Sequence, residues 1–331
     1  MNLAYAYAPN HAAMERKAFK SYLSQRSTSL KIQKKQTSSE CGGGTSTSLK
    51  VRGLKKSNVS SLKFEIKKNK RIGINDIYSD GSYCAFVALD TCGNDSDVTK
   101  LQGAVSDAKT LQKHLVSERK FQVIGELFNQ EATSSNFRKL MGRVKLVLAD
   151  KPNSRFIMFL ACHTIYDHAC DEAWISLYGF NKSRLEETSI EIRELKSYCA
   201  RNISKHQLLL LDSCHTGMLF MRTRGRFSNG NHLAESPCAL AIAATSANGE
   251  ALETAKGGLF TSKIIEALNS VTRGSNFFTA HELFSTIQQH VTEQALDNFN
   301  FTQTPSMGSL FLLHRNGRKC EGSMLFSREL P

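Results

Sequence analysis

The sequence predicts an α/β protein with a mostly parallel central sheet flanked by helices. From about residue 82 onward, short apolar runs alternate with segments of helical periodicity, which is the order expected of strand–helix–strand units. The runs FIMFLA (156–161) and LLLL (208–211) are apolar throughout, as strands buried on both faces are. Because short loops join these elements, we expect residues 71–331 to form one domain.

Each strand is predicted from a short apolar run bounded by polar residues. The expected strands are 84–89, 121–128, 155–161, 174–178 as a short edge piece, 208–211, 240–244 and 310–313. Helices are predicted where apolar residues recur three or four positions apart. The expected helices are 104–116, a second that Thr133 or Ser134 caps, 190–200, 261–268 and 280–291.

The amino-terminal segment differs from the rest of the chain in composition. Residues 1–70 hold 15 Lys and Arg against three acids, a net charge of +12, whereas the remaining residues carry +1. The segment is rich in Ser and Thr and has no apolar repeat, which predicts a largely disordered leader or propeptide. Its charge suits an acidic partner. Nucleic acid is not the expected partner, because no aromatic residues alternate with the basic ones and the body is nearly neutral.

Apolar runs and cysteine usage indicate the cellular setting. No run is long enough for a secretory signal or a membrane span. Nine cysteines without a C-x-x-C pair indicate free thiols in a reducing compartment, so we expect a cytoplasmic protein. A basic, Ser-rich leader is also compatible with an organelle transit peptide. Zinc is not expected, because the spacing of Cys162, His163, His168 and Cys170 matches no common zinc pattern.

Two strand ends carry a possible catalytic pair. One buried run ends at His163 and another at Cys214. Sites in open α/β sheets lie beyond the carboxyl ends of strands, which are about 5 Å apart. Cys214 is the candidate nucleophile and His163 the candidate base, with backbone N–H groups of Cys214 and Thr164 as oxyanion donors. The alternative is a buried structural thiol and a structural histidine.

The sequence around these residues resembles the caspase-like peptidases, and among them the metacaspases and their bacterial relatives. Residues 212–217, DSCHTG, are similar to the metacaspase nucleophile motif D-S-C-H-S-G. His163 precedes Cys214 by 51 residues, close to the spacing of about 50 typical of caspases. Residues 101–108, 128–133, 243–251 and 258–261 also resemble family segments, so the resemblance covers about 82–315 in the same order.

The resemblance implies a three-layer caspase-like fold and a cysteine endopeptidase that acts on proteins or peptides. Two positions depart from the family. Thr164 stands where the family has Gly after its histidine, which narrows or reshapes the oxyanion hole because Gly has no Cβ. Ala104 replaces a cysteine at the entrance of the specificity pocket. These departures leave open the alternative of a catalytically inactive caspase-like scaffold or interaction protein.

Asp107 and Asp212 are the candidate residues of the specificity pocket. Buried carboxylates favour a cationic side chain, so we expect cleavage after Arg or Lys. Caspases that cut after Asp have an arginine in the place of Leu101 and a glutamine in the place of Asp212, so a pocket for Asp lacks its cation here. The alternative for Asp107 alone is an acid that favours a helix N-terminus.

The resemblance also suggests a regulator and a self-cleavage segment. The chemistry requires no cofactor, but calcium is a candidate activator with Asp167, Asp171 and Glu172 as oxygen ligands, the alternative being solvated charge. Arg222, Arg224 and Arg226 follow the nucleophile and form a candidate self-cleavage segment for an Arg-directed protease, the alternative being a plain solvated loop.

Overall fold

A six-stranded sheet forms the centre of the computed structural model. The structure describes residues 73–93, 98–167, 172–214, 216–220, 234–247, 249–254, 257–270, 277–311 and 313–327. These residues all belong to one compact unit that spans 68–331. The predicted leader lies outside the described residues, so the domain boundary at residue 70 stays a prediction.

Thirteen strands and seven helices are found in the described residues. The strands are β1 (Ser82–Ala88), β2 (Gln122–Phe128), β3 (Arg155–Ala161), β4 (Thr164–Asp167), β5 (Glu172–Ser176), β6 (Ser189–Glu191), β7 (His206–Asp212), β8 (Cys238–Ala243), β9 (Glu253–Thr254), β10 (Gly257–Gly258), β11 (Phe277–Thr279), β12 (Ser306–Ser309) and β13 (Leu325–Ser327). The helices are α1 (Ile74–Ile77), α2 (Ala104–Arg119), α3 (Ser134–Val147), α4 (Leu185–Thr188), α5 (Ile192–Arg201), α6 (Leu259–Ser270) and α7 (Ala280–Phe299).

The central sheet has the order β12-β8-β7-β3-β1-β2. The pairs β8–β7, β7–β3, β3–β1 and β1–β2 are parallel, and β12 is antiparallel to β8. Helices α2, α6 and α7 pack on one face of this sheet, and α3 and α5 pack on the other. The mostly parallel sheet between two helical layers confirms the predicted three-layer caspase-like fold.

Strand β3 explains why the central strands are apolar without interruption. Ile157 and Phe159 contribute to the core under α2, α6 and α7, whereas Phe156, Met158 and Leu160 contribute to the core under α3 and α5. Because successive side chains point to opposite faces and both faces are covered, no position of the strand is polar and exposed.

The last strand of the sheet differs from the prediction. It is β12, antiparallel to β8, and not the apolar run 310–313, of which Leu313 is 59% exposed. An edge strand is held by backbone hydrogen bonds on one side only, so the sequence S-M-G-S forms it without an apolar run. Leu310 continues the pairing through its N–H, which donates to the Ala239 carbonyl at 2.8 Å.

A second small sheet follows β3 directly. It has the order β4-β5-β6 and is antiparallel. The expected edge piece at 174–178 is the middle strand β5 of this sheet, and the first residues of the expected helix 190–200 belong to β6. The sequence analysis missed β4, which begins at Thr164, immediately after His163.

Two further observations bear on the setting of the protein. The seven cysteines that the structure describes are all free thiols, as the sequence predicts. Within the described ranges, no helix has both the length and the apolar character needed to cross a membrane.

Candidate active site

His163 and Cys214 follow the carboxyl ends of two adjacent parallel strands of the central sheet. Strands β3 and β7 are parallel neighbours, and Ala161 is paired with Asp212 in the last step of their register. Each candidate catalytic residue therefore stands two positions beyond a paired residue. Both side chains are only partly exposed, so both lie at the surface of the fold rather than in its interior.

The ring of His163 is oriented by a backbone carbonyl that the sequence analysis did not identify. Its Nε2 lies 2.8 Å from the Thr99 carbonyl oxygen. Because a carbonyl only accepts, Nε2 carries the hydrogen and Nδ1 is left as the basic nitrogen. Burial lowers the pKa of His163, whereas the Thr99 carbonyl and the charge of Glu253 raise it. The imidazole is therefore neutral and able to accept a proton at neutral pH.

The sulfur of Cys214 is also in contact with a backbone group. The Ala251 N–H donates a hydrogen bond to Sγ at 3.4 Å. Burial raises the pKa of the Cys214 thiol, and the Ala251 N–H opposes this because it favours the thiolate. Among the described residues, no hydrogen bond joins the side chains of Cys214 and His163. Both groups are therefore neutral at rest, and the proton has to move when the sulfur attacks.

Thr164, the predicted oxyanion donor, opens the hairpin formed by β4 and β5. The His163 carbonyl accepts a hydrogen bond from the Ser176 N–H at 2.9 Å, and Thr164 is opposite Ile175. This makes Thr164 and Ile175 a non-hydrogen-bonded pair, so strand β5 does not use the Thr164 N–H. The Thr164 side chain is buried, and its hydroxyl lies 2.6 Å from the Ser213 hydroxyl.

The two predicted pocket residues converge on one glycine. The Gly258 N–H donates to Asp107 Oδ2 at 2.6 Å, and the Thr261 hydroxyl donates to Asp212 Oδ2 at 2.5 Å. A Cβ added to Gly258 would lie 2.6 Å from Asp212 Oδ2 and 3.2 Å from Asp107 Oδ2. The structure thus brings Asp107 and Asp212 together, and the absence of a side chain at position 258 makes room for both carboxylates.

Burial makes both carboxyl groups weak acids. Desolvation is the main cause that raises the pKa of Asp107 to about 7, with further contributions from Asp212, Glu253 and Asp90. Desolvation likewise raises the pKa of Asp212 to about 6, although the Thr261 bonds oppose it. The ionised pair is therefore destabilised until a cation enters, which is the electrostatic property expected of a site for a positively charged side chain.

Glu253 is a third carboxylate beside this pair, and the sequence analysis missed it. Its Oε1 accepts hydrogen bonds from the N–H groups of Gln102 at 2.6 Å and Gly103 at 2.8 Å. Neither N–H group has an acceptor within α2, and the N-terminus of a helix favours negative charge. Since Asp107 on α2 accepts in turn from Gly258 on β10, the helix and the β9–β10 hairpin hold each other through two carboxylates.

No local pattern could have identified Glu253. It stands about 150 residues from its backbone partners, and its one signal is that it is an acid between two segments of family resemblance. Thr99 and Ala251 were missed for a different reason, because they act through backbone groups that every residue possesses.

The remaining predicted site residues are only partly described. Asp167 and Glu172 are opposite each other in the β4–β5 pair, and Glu172 forms an ion pair with Arg193. Asp171, Arg222, Arg224 and Arg226 lie outside the described residues. Within the described ranges, no group of three or more His, Cys, Asp or Glu side chains is placed to hold a metal ion. The described residues of the predicted calcium site therefore do not form a complete ligand set.

Comparisons with known proteins found one family and several similar solved structures. The profile of a family described as the caspase domain of peptidase C14 matches residues 87–315, which include both strand ends of the site. A solved structure from Geobacter sulfurreducens is similar at 15% identity and a TM-score of 0.49, covering 74% of this chain and 99% of that one. The Drosophila initiator caspase Dronc is similar at 14% identity and a TM-score of 0.49, covering 80% and 94%. No curated protein matches the sequence.

Replacement of Asp107 by Asn is expected to stabilise the protein at high pH. A pKa raised above its ordinary value means that the contribution to stability is fully present below about pH 4, the ordinary pKa of Asp, and is lost as the pH rises from there to about 7. Asn cannot ionise and still accepts from Gly258. We expect Asp107→Asn to melt about 3 °C higher than the wild type at pH 8 and within about 0.5 °C of it near pH 3.5, as measured by calorimetry.

The exposed Asp150, whose side chain is 83% accessible, provides the control with the same change of net charge. Asp150→Asn is expected to show no gain that depends on pH. An Asp107→Asn protein that melts at the wild-type temperature at pH 8 would contradict the assigned electrostatics.

Removal of the Glu253 carboxylate is expected to destabilise the α2 N-terminus. Glu253→Ala should lower the free energy of unfolding by about 1–2 kcal/mol, because two backbone N–H groups lose their acceptor. Glu253→Gln should lower it by less than about 0.5 kcal/mol, because the amide oxygen replaces the acceptor and repulsion from Asp107 and Asp212 is relieved. Urea unfolding measures both, with Glu266→Ala on the exposed side of α6 as control. Equal losses for Ala and Gln would show that the charge, not the hydrogen bonding, is what matters.

Proposed function

We propose that this chain, which belongs to the caspase-domain family of cysteine peptidases, is an active endopeptidase that cleaves after Arg or Lys. The observation that supports this most strongly is the parallel register of β3 with β7, because His163 and Cys214 each stand two positions beyond its last pair, Ala161 and Asp212. Two partly buried carboxylates, Asp107 and Asp212, meet at Gly258, and Asp212 precedes Cys214 by two residues at the end of β7.

In the acylation step, the Cys214 sulfur attacks the carbonyl carbon of the substrate while its proton passes to Nδ1 of His163. Nδ1 serves as the base because the Thr99 carbonyl already engages the protonated Nε2. The oxyanion accepts hydrogen bonds from the backbone N–H groups of Cys214 and Thr164. When the tetrahedral intermediate collapses, the C–N bond breaks and His163 gives its proton to the leaving amine, which leaves a thioester on Cys214.

In the deacylation step, His163 removes a proton from a water molecule that attacks the thioester carbonyl. The C–S bond then breaks, the carboxylic acid product leaves, and the proton returns to the Cys214 sulfur. The Ala251 N–H stabilises the sulfur in both steps, because it donates to the thiolate that forms as leaving group or nucleophile.

Specificity follows from the electrostatics of the pocket. Asp107 is about half protonated near neutral pH, and an arriving guanidinium or ammonium group favours the ionised form of both carboxylates. Binding of a cationic side chain therefore releases protons and relieves the repulsion between the two acids. An acidic side chain would add a further negative charge beside Asp107, Asp212 and Glu253 and is excluded.

A catalytically inactive scaffold is the second candidate function. Two observations favour it: Thr164 replaces the family's Gly, and the described His163 and Cys214 side chains share no hydrogen bond. Such a protein would keep the fold and bind partners without cleaving them.

A peptide panel distinguishes the two functions. Peptides that differ only in Arg, Lys or Asp before the cut are incubated with the full chain, and new amines are measured. We expect cleavage after Arg and Lys but not after Asp, and losses of at least about 10³-fold in Cys214→Ala and His163→Ala. Cleavage after Asp would overturn the specificity. Absence of cleavage together with an unreactive Cys214 would favour the scaffold.

The same panel with and without calcium tests the proposed activator. Asp167, Asp171 and Glu172 supply the oxygen ligands of that proposal, and binding has to compete with the Arg193–Glu172 ion pair. No step of the reaction passes through the metal. A rate that is unchanged by calcium and by its removal with a chelator would contradict an activating role.

Self-processing is expected at the basic segment after the nucleophile. We expect incubation of the purified chain to produce new termini after Arg222, Arg224 or Arg226, and Cys214→Ala to remain intact. Lys and Arg in the basic leader offer a second set of sites, which would make the leader a propeptide. Mass spectrometry of the termini is the measurement, and termini at neither segment would contradict self-processing.

A further inference from the structure

Two buried hydroxyl groups join the segments that carry the candidate catalytic residues. Thr164 Oγ1 and Ser213 Oγ lie 2.6 Å apart, and the residues are 6% and 4% exposed. Thr164 directly follows His163, and Ser213 directly precedes Cys214. The bond lies beyond Ala161 and Asp212, the last pair of the β3–β7 ladder, so it extends the link between these strands past their backbone pairing.

Hydrogen bonds to other segments also fix the backbone next to each hydroxyl of the Thr164–Ser213 bond. The Ser213 carbonyl accepts hydrogen bonds from the hydroxyls of Thr216 at 2.8 Å and Thr245 at 3.5 Å. On the other side, the backbone of His163 is anchored to Ser176 on β5. A bond between two anchored groups limits how far the two segments can move apart.

We propose that the Thr164–Ser213 bond positions His163 and Cys214 for proton transfer, so that both hydroxyls are positioning residues of the reaction. This inference rests on the proposed function. The two side chains share no direct hydrogen bond at rest, so their approach depends on the segments that carry them. A misplacement of about 1 Å is enough to reduce a rate about 100-fold.

The proposal gives a purpose to the residue that departs from the family. A glycine at position 164 has no hydroxyl and could not form this bond. The threonine hydroxyl is engaged with Ser213 in the interior, while the backbone N–H of Thr164 is not used by β5. One residue thus both spans the two segments and retains its expected role as an oxyanion donor.

A double-mutant cycle with a matched control tests the proposal. Thr164→Val and Ser213→Ala each remove one hydroxyl with little change in shape. The control is Ser154→Ala, because Ser154 and Ser204 form a buried hydroxyl pair at 3.0 Å just before the amino ends of the same two strands. The measurements are kcat and KM on the Arg peptide, the rate of Cys214 alkylation by iodoacetamide, and the melting temperature.

We expect each site variant to lower kcat about 10- to 100-fold with KM within about twofold. The double variant should lower kcat no further than the single variant that has the larger loss, because the two residues act through one bond. Thr164→Ser, which keeps the hydroxyl, should remain within about threefold of the wild type. Ser154→Ala should lower the melting temperature as much as the site variants do and leave kcat unchanged.

Three results would overturn the inference. They are additive losses in the double variant, a Thr164→Gly protein faster than the wild type, and a control that loses kcat in proportion to stability. If wild-type Cys214 reacts with iodoacetamide but cleaves no peptide, the proposed protease function fails, and coupling in the alkylation rates still tests the positioning role. A wild-type Cys214 that does not react at all refutes both proposals.

Discussion

The parallel register of β3 and β7 is the constraint on which the rest of the site depends. This register ends with Ala161 opposite Asp212. Beyond that pair, β3 leads into the β4–β5 hairpin and β7 leads into a short helical turn at Thr216–Phe220. Asp212 is both the last residue of the ladder and a member of the proposed cation pocket. A shift of this register by one residue would separate His163 from Cys214 and turn the pocket acid toward the opposite face of the sheet.

In the proposed pocket, hydrogen bonds stabilise carboxylates that are poorly solvated. Three carboxylates lie near one another, and each accepts a hydrogen bond from another part of the chain: Asp107 from Gly258, Asp212 from Thr261, and Glu253 from the two N–H groups that precede α2. These bonds offset part of the desolvation cost, and the remaining cost is visible in the raised pKa values of Asp107 and Asp212. Because the protein neutralises these carboxylates only in part, they favour a cationic ligand.

Predictions from the sequence were accurate where a residue's own surroundings determine its structure. The bounds of β3 follow from burial on both faces, and Thr133 caps α3 through its hydroxyl to the Asn136 N–H, as its residue type favours. They were wrong or incomplete where pairing decides: β12 is a polar edge strand, β4 is a short hairpin strand, and Ile190 belongs to a strand rather than a helix. Pairing partners lie far away in sequence and leave little trace in local composition.

For this protein, the sequence alone predicted the alternation of strands and helices from periodicity and burial. It singled out His163, Cys214, Asp107 and Asp212 as candidate site residues through the apolar runs that His163 and Cys214 follow and through the resemblance to the caspase-like peptidases. Tertiary structure alone decided which groups meet. The Thr99 carbonyl, the Ala251 N–H, the Glu253 clamp and the Thr164–Ser213 bond all join segments that are distant along the chain. Hydrogen bonds of this kind depend on distances of a few tenths of an ångström, which no local pattern of residues encodes.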